Sequence, residues 1–529
     1  MKRKLWTLLL ALGAALALCA GASATTVDND FYEALNVPNG SIKLENDFVF
    51  ENVMEVNHNL TIDLNGYVLT IPKSICVNSG AHLTIKDSGT TAEHKFTPDA
   101  NGLWVLDKAN GTETVYGGVI TGGTGYQYQK THPTGERYTV EVGGGVCVKS
   151  GGKLTMEGGN IVGCTAMQGG GVYVEGDFSM TGGSIIGCAA DRGGGVYMSD
   201  DDAVFNMSGS AAIRYCKAAS KDSSYASGGG VYALGAFTMS GNAAICDCEC
   251  ITDSWRAAGG GVYLAYNNKI TTFTMCGYAE IDRCKVTSPQ NGMSHGGGVF
   301  VSDKASLTLK DQAAIKNCSA KKTSDGVTHG GGIFAEGTLT IAGRAKVGED
   351  CSAAVGSGIY MEVGSYFSAP QNLYANGGVI AGEVVLNNSS NYGATLMIAS
   401  SDEGVTEFKG SVLNNGGIIE KGNFTGKVTN NGSITGGEFT GTVINNGSIT
   451  GGVFNGTVNN NGIIKNADDS TGPNFTGTVI NSESGTIAKG VSITELKFVV
   501  TFDNEGTKTT ETFATVSYTH LTLPTNPRV

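Results

Sequence analysis

Apolar and polar positions along most of this chain alternate with a period of two, in bursts of three to five residues. One burst follows a glycine triplet, as in Val172-Tyr173-Val174. A second is apolar–polar–apolar around Thr, Ser or Asn: Leu154/Met156, Phe178/Met180, Phe205/Met207, Phe237/Met239, Phe273/Met275, Leu307/Leu309 and Leu339/Ile341. A third reads Ile-x-x-Cys: Ile161/Cys164, Ile185/Cys188, Ile213/Cys216, Ile245/Cys248, Ile281/Cys284 and Ile315/Cys318, with Val347/Cys351 one residue out of register. Period two is the spacing of a half-buried strand, so each unit predicts three short strands.

The units recur. GGGVCV at 143 is followed by glycine triplets at 169, 193, 228, 259, 296 and 330, and by GSGIYM at 356. Between each cysteine and the next glycine motif lie 4, 4, 11, 10, 11, 11 and 4 residues. Most of the variation in repeat length therefore falls in one turn. Three strands, one variable turn and no helical spacing in the repeat predict an all-β chain, a right-handed parallel β-helix of the pectate-lyase-like kind. No coil buries its apolar face alone, so successive coils stack about 4.8 Å apart and share a core.

Five boundaries follow. Residues 1–24 have a basic start, an apolar run and Ala22-Ser23-Ala24, the layout of a secretory signal; a lipoprotein signal at Cys19 is the rival, with Leu18 poorly suited to it. Residues 25–140 read as degenerate capping coils, in which GGVITGG (117–123) resembles a coil lacking its second strand. Residues 141–370 are the main β-helix. Residues 371–493 read as a narrower β-solenoid whose 15-residue units (FTGTVINNGSI and its relatives) predict two short strands and an Asn-Asn-Gly turn, with asparagines that could stack. Residues 494–515 open a small β module, and 516–529 read as a scar resembling a translated sequencing adapter.

Composition narrows the function. Eighty glycines in 529 residues fit repeated tight turns. A net charge of −13 argues against nucleic acid or anionic lipid as a partner. No apolar run after residue 24 is long enough to span a membrane. The cysteine column reads as packed free thiols beside an inward isoleucine; disulfides and a metal, for which Cys246, Cys248 and Cys250 form the one local cluster, are the alternatives.

The paired GGG-[VI]-[YF] and I-x-x-C motifs resemble the repeats of polymorphic outer-membrane proteins, with cysteine in place of their asparagine. The whole is also similar to β-helix surface proteins of anaerobic Gram-positive gut bacteria, and VVTFDNEG (499–506) resembles the first strand of an internalin-type B repeat. The resemblance implies adhesion or display at a cell surface.

Candidate binding residues come from two places. The residue between the two apolar positions after each glycine triplet should face outward, giving an aromatic column of Tyr173, Tyr197, Tyr232, Tyr263 and Phe300 that either stacks for stability or offers sugars a track. Four long loops (217–227, 249–258, 285–295 and 319–329) should form one wall, carrying Tyr225 and Trp255. His295 and His329 read as solvated turn residues, not a metal pair. Asp200, Asp201, Asp202 and Asp191 are the carboxylates from which a polysaccharide lyase or glycoside hydrolase would have to be built, but none recurs in adjacent coils. The expectation is a secreted, cell-surface, monomeric rod that binds a glycan or a surface protein. It calls for no cofactor, metal or catalytic residue, and its rivals are that enzyme and a plain stalk.

Overall fold

The computed structural model describes residues 28–514, apart from 132–134, 136, 221–224, 267, 290–291, 324–325, 364–370, 389–394, 402–403, 469–470 and 505–506. The expected signal and the C-terminal scar lie outside the described residues. The chain is a parallel β-helix whose three faces persist from the first coil to the last. One face begins with Met54–Val56, Ile75–Val77 and Val146–Val148, a second with Gly40–Lys43, Leu60–Asp63 and His82–Lys86, and the third with Phe48–Val49, Val68–Thr70 and Val119–Thr121. The helix Asp28–Asn36, absent from the sequence reading, covers the open end. Its Phe31 is buried and stacks on Phe48 at 4.6 Å.

In-register pairing turns every repeat position into a column. Phe178, Phe205, Phe237 and Phe273 stack at 4.6, 4.9 and 4.4 Å inside the core. Cysteines 164, 188, 216, 248, 284 and 318 are fully buried beside their isoleucines and carry free thiols. Each thiol from Cys188 onward donates to the carbonyl of the isoleucine one coil earlier, at 3.6–3.9 Å. Burial raises the pKa of thiols such as Cys248 and Cys318 well above the ordinary thiol range. Cys246 and Cys250 stand apart from Cys248: Cys246 is on the third face, and Cys250 belongs to a separate small core.

The glycine triplet and the Ile-x-x-Cys motif form a single contact. A Cβ on the third glycine, Gly195 for example, would lie 2.7 Å from the Ile213 methyl and 3.4 Å from the Cys216 sulfur. The first glycine has positive φ throughout, 62° at Gly193, a region that side chains rarely enter. Where the repeat slips before Cys351, the strand absorbs the extra residue: Ile315 pairs with Val347 but Lys316 pairs with Glu349, leaving Gly348 as a bulge.

Two expectations change. Segment 117–123 supplies the third strand of a coil whose second strand is His82–Lys86, and a three-stranded antiparallel flap (Glu93–Pro98, Trp104–Leu106, Glu113–Tyr116) is inserted between them. The narrow region also keeps three strands per 15-residue unit, as in Glu438–Phe439, Val443–Asn445 and Ser448–Ile449. Two-residue strands are too short to show an alternation.

That region is filled by one Phe, one Val and one Ile per coil, plus a buried asparagine. Asn414, Asn430, Asn445 and Asn460 each donate Nδ2 to the Oδ1 of the next asparagine in the column, which ends at Asn481, at 2.7–2.8 Å. An exposed second column, Asn415, Asn431, Asn446 and Asn461, donates in the opposite direction. The strand Ile493–Asn504 pairs in parallel with the last coil and then folds back on Thr507–Ala514. Replacing Asn445 by Ala would strand amide groups of both neighbours, at a cost of about 1–3 kcal/mol each. We expect Asn445→Ala to lower the thermal unfolding midpoint of the narrow region, whereas Asn446→Ala in the solvated column leaves it nearly unchanged, as circular dichroism would show.

Candidate functional site

The aromatic column forms, but it is not a surface. Tyr173, Tyr197, Tyr232, Tyr263 and Phe300 stack at 5.8, 4.5, 5.2 and 4.9 Å between successive rings, and Phe334 and Tyr360 continue the series. These rings point away from the main core, yet Tyr173 is fully buried, Tyr197 is 6% exposed and Phe300 is fully buried. Tyr232 and Tyr263 are half-buried. Two insertions cover the column. The hairpin Tyr126–Thr131/Arg137–Val142 lies over Tyr173 and Tyr197, fastened where Glu175 accepts hydrogen bonds from the Tyr128 hydroxyl (3.2 Å) and the Tyr173 hydroxyl (2.9 Å). Farther along, Ala258 and Arg256 of the long loops lie on Phe300, the guanidinium 4.6 Å from its ring centre. The sugar-track expectation is thereby corrected at Tyr173, Tyr197 and Phe300, because another layer of the protein takes up their faces.

The four long loops are not irregular. Each runs out as a strand, and the first three return as one. Lys217–Ser220, Glu249–Thr252, Lys285–Ser288 and Ser319–Lys322 join Ala189–Ala190 in a five-stranded parallel sheet. Tyr225–Ser227, Arg256–Ala258 and Met293–His295 form a second parallel sheet. Ala218, Ala226, Cys250, Ala257, Val286 and Ala320 fill the space between. The wall expected from loop lengths is thus a two-layered fin with its own small core. Lys217, Glu249 and Lys285 form a charged row along its outgoing sheet, at 3.6 and 3.3 Å.

Tyr225 and Trp255 are where the sequence reading needed them, at 45% and 46% exposure. The structure adds Met293, at 39%, and Val327, at 55%. Tyr225, Arg256 and Met293 are in register, with Trp255 beside Arg256. Val327 stands two residues before His329, as Met293 stands before His295, and the two histidines bridge. The fin thus carries one exposed apolar side chain on each of four consecutive coils, with Arg256 and not Trp255 in the register position between Tyr225 and Met293. Met293 and Val327 were missed because single apolar residues in loops have no periodicity. Their constant offset from the glycine triplets was the available signal.

The histidines also move. His295 and His329 are half-buried, with His329 Nδ1 and His295 Nε2 3.4 Å apart. His295 stacks on Phe334 at 4.3 Å and His329 lies 4.4 Å from the Tyr360 ring. They are packing residues of the fin's root, not solvated turns. Among the described residues no group of three or more His, Cys, Asp or Glu is placed to hold a metal ion. Asp200, Asp201 and Asp202 make a turn, where Asp200 accepts from the Asp202 amide and Asp202 pairs with Lys269. Glu336 and Glu362, which the sequence reading passed over, follow paired residues in adjacent coils.

The flap makes the other feature of this side. Trp104 donates its amide to the Gly187 carbonyl at 3.0 Å and stacks on Tyr215 at 5.3 Å. A Cβ on Gly163 would overlap the Trp104 carbonyl, and one on Gly187 its indole. The equivalent position in later coils also has positive φ, but holds Tyr215, Asp247, Arg283 and Asn317; glycine occurs where the flap docks. Between the flap tip (Asp99–Leu103) and the fin's outgoing sheet lies a cleft of about 400 Å³.

Searches of family models, curated proteins and solved structures find no match to this chain.

Two outcomes follow. Gly187→Ala should free the flap, seen as loss of the Trp104 near-ultraviolet signal and protease cleavage within 93–116, with the coils intact. The second concerns pH. Burial first, then the charge of His329, holds the His295 pKa down to about 3, against about 6.5 when unfolded. As pH falls below about 6.5 the unfolded chain takes up a proton that the folded site refuses, so stability is lost towards pH 3. Glu362 acts oppositely, since burial and then Glu336 push it up to about 7; its stabilisation is present at low pH and lost between about pH 4.5 and 7. His295→Gln removes only the first effect. Its stability relative to wild type should improve by about 1 kcal/mol per unit as pH falls below 6.5, measured by urea unfolding from pH 7 to 4.

Proposed function

We propose that this chain is a secreted, surface-displayed β-helical rod that binds a partner through the edge of its fin. The observation that carries the reading is the exposure of Tyr225, Trp255, Met293 and Val327 on four consecutive coils of the fin. Single exposed apolar residues are ordinary, but one on every coil of an inserted fin is the kind of surface that partners cover. Tyr, Trp and Met are also the residues enriched at protein interfaces, so a surface protein fits this edge better than the sugar expected of an aromatic track. The long stacked body serves as a spacer, and its coils hold the fin away from the attachment point. A net charge of −13 disfavours nucleic acid as the partner.

The test uses the mature chain, labelled and incubated with a panel of epithelial and bacterial cells and with mucin. Tyr225→Ala combined with Trp255→Ala should lower the bound fraction about tenfold, the effect of roughly 1.4 kcal/mol, without shifting the unfolding midpoint. Binding that survives the double change would remove the fin edge from the function. A folded chain that binds no surface would be a stalk.

A further inference from the structure

We infer that the cleft between flap and fin is a second binding site, for a short neutral oligosaccharide. It is separate from the fin edge and does not depend on the reading given for it. Neither wall belongs to the rod's core. One is the flap tip, where Asp99 accepts hydrogen bonds from the amides of Asn101 (2.8 Å) and Leu103 (2.9 Å) and so holds the turn in shape. The other is the outgoing sheet of the fin, with Asp191, Lys217 and Asp253 facing the space. Lys217 runs beneath the tip: a Cβ on Gly102 would lie 3.4 Å from its Cδ and 3.9 Å from its Nζ. Docking of Trp104 against Gly163, Gly187 and Tyr215 fixes the distance between the walls.

The volume of about 400 Å³ is that of a small-molecule site. Its chemistry selects the ligand class by exclusion. Charged side chains on both walls disfavour an apolar ligand, which would strip water from them without replacing it. Anions meet Asp99, Asp191 and Asp253, while the one lysine is already paired with Glu249 at 3.6 Å. Phosphate esters and uronates are therefore excluded. A neutral sugar suits both kinds of group, because its hydroxyls donate to the carboxylates and accept from the N–H groups of Lys217 that are not turned to Glu249. Ala219 and Ile251 provide apolar surface between the polar groups for the C–H faces of the ring.

Isothermal titration calorimetry on the mature chain tests this with maltotetraose, cellotetraose, mannotetraose and tetra-N-acetylchitotetraose as neutral probes and tetragalacturonate as the acidic one. At least one neutral probe should bind, and tetragalacturonate should not. Asp191→Asn and Asp253→Asn should each weaken binding about tenfold. Ala219→Trp, which fills the cleft from a surface strand, should abolish binding while the circular dichroism spectrum and unfolding midpoint stay as in wild type. Failure of all four neutral probes, binding that survives Ala219→Trp, or equal affinity for tetragalacturonate would each overturn the proposal.

Discussion

Every other feature of this protein depends on one constraint: each coil lies directly over the last, in register except at local bulges such as Gly348. Parallel pairing at a spacing near 4.8 Å puts identical side chains in contact with their own copies. A residue is admitted to a column only if it stacks on itself. Phenylalanine, tyrosine, isoleucine, cysteine and asparagine all pass that test by different means. Rings stack face to face, branched aliphatics interlock, thiols donate to the carbonyl one coil back, and carboxamides donate to one another. Among the described residues the main core has no charged member, and charged residues form columns in the outer layer, as in the Lys217, Glu249 and Lys285 row where the sign alternates. The glycine triplet follows from the same rule, since the isoleucine and cysteine of the same coil occupy the volume that a side chain would need.

The insertions are where the rod ceases to be uniform. Flap, hairpin and fin all leave the coil at turns, where extra chain does not disturb the ladder. Each then packs back on an outer face and changes what that face can do. The hairpin and the fin's returning strands cover the two ends of the aromatic column, and the flap and the fin's outgoing strands define a cleft. A surface that repeats along its whole length thereby acquires a few unique places.

The architecture was legible because it repeats. Seven occurrences of the same three bursts fix strands, turn and cysteine column without reference to any long-range contact. What was not legible is what happens once. The outward aromatic column was read correctly as outward, but burial depends on whether something lies over it: the alternation of Tyr126–Thr131 marks a strand without saying where it packs, and Ala226 or Ala257 look like filler. Tyr225 and Trp255 were found because large aromatics stand out in a polar loop. Asp191 and Lys217 belong to a cleft with Asp99, far off in sequence, and no local pattern could bring those together. The short strands of the narrow region escaped for the opposite reason, with too few residues each for any period to show.

The two asparagine columns of that region are oppositely polarised. Backbone amides of Gly417 and Gly432 fix the inner one, donating to Oδ1 of Asn414 and Asn430 and so forcing each Nδ2 towards the next coil. The outer column points the other way. Each chain of aligned amides would alone accumulate a dipole as coils were added, as a helix does. Side by side and opposed, the two largely offset each other. Each added coil brings one amide of either sense, so the side-chain dipole of the narrow section grows little with its length.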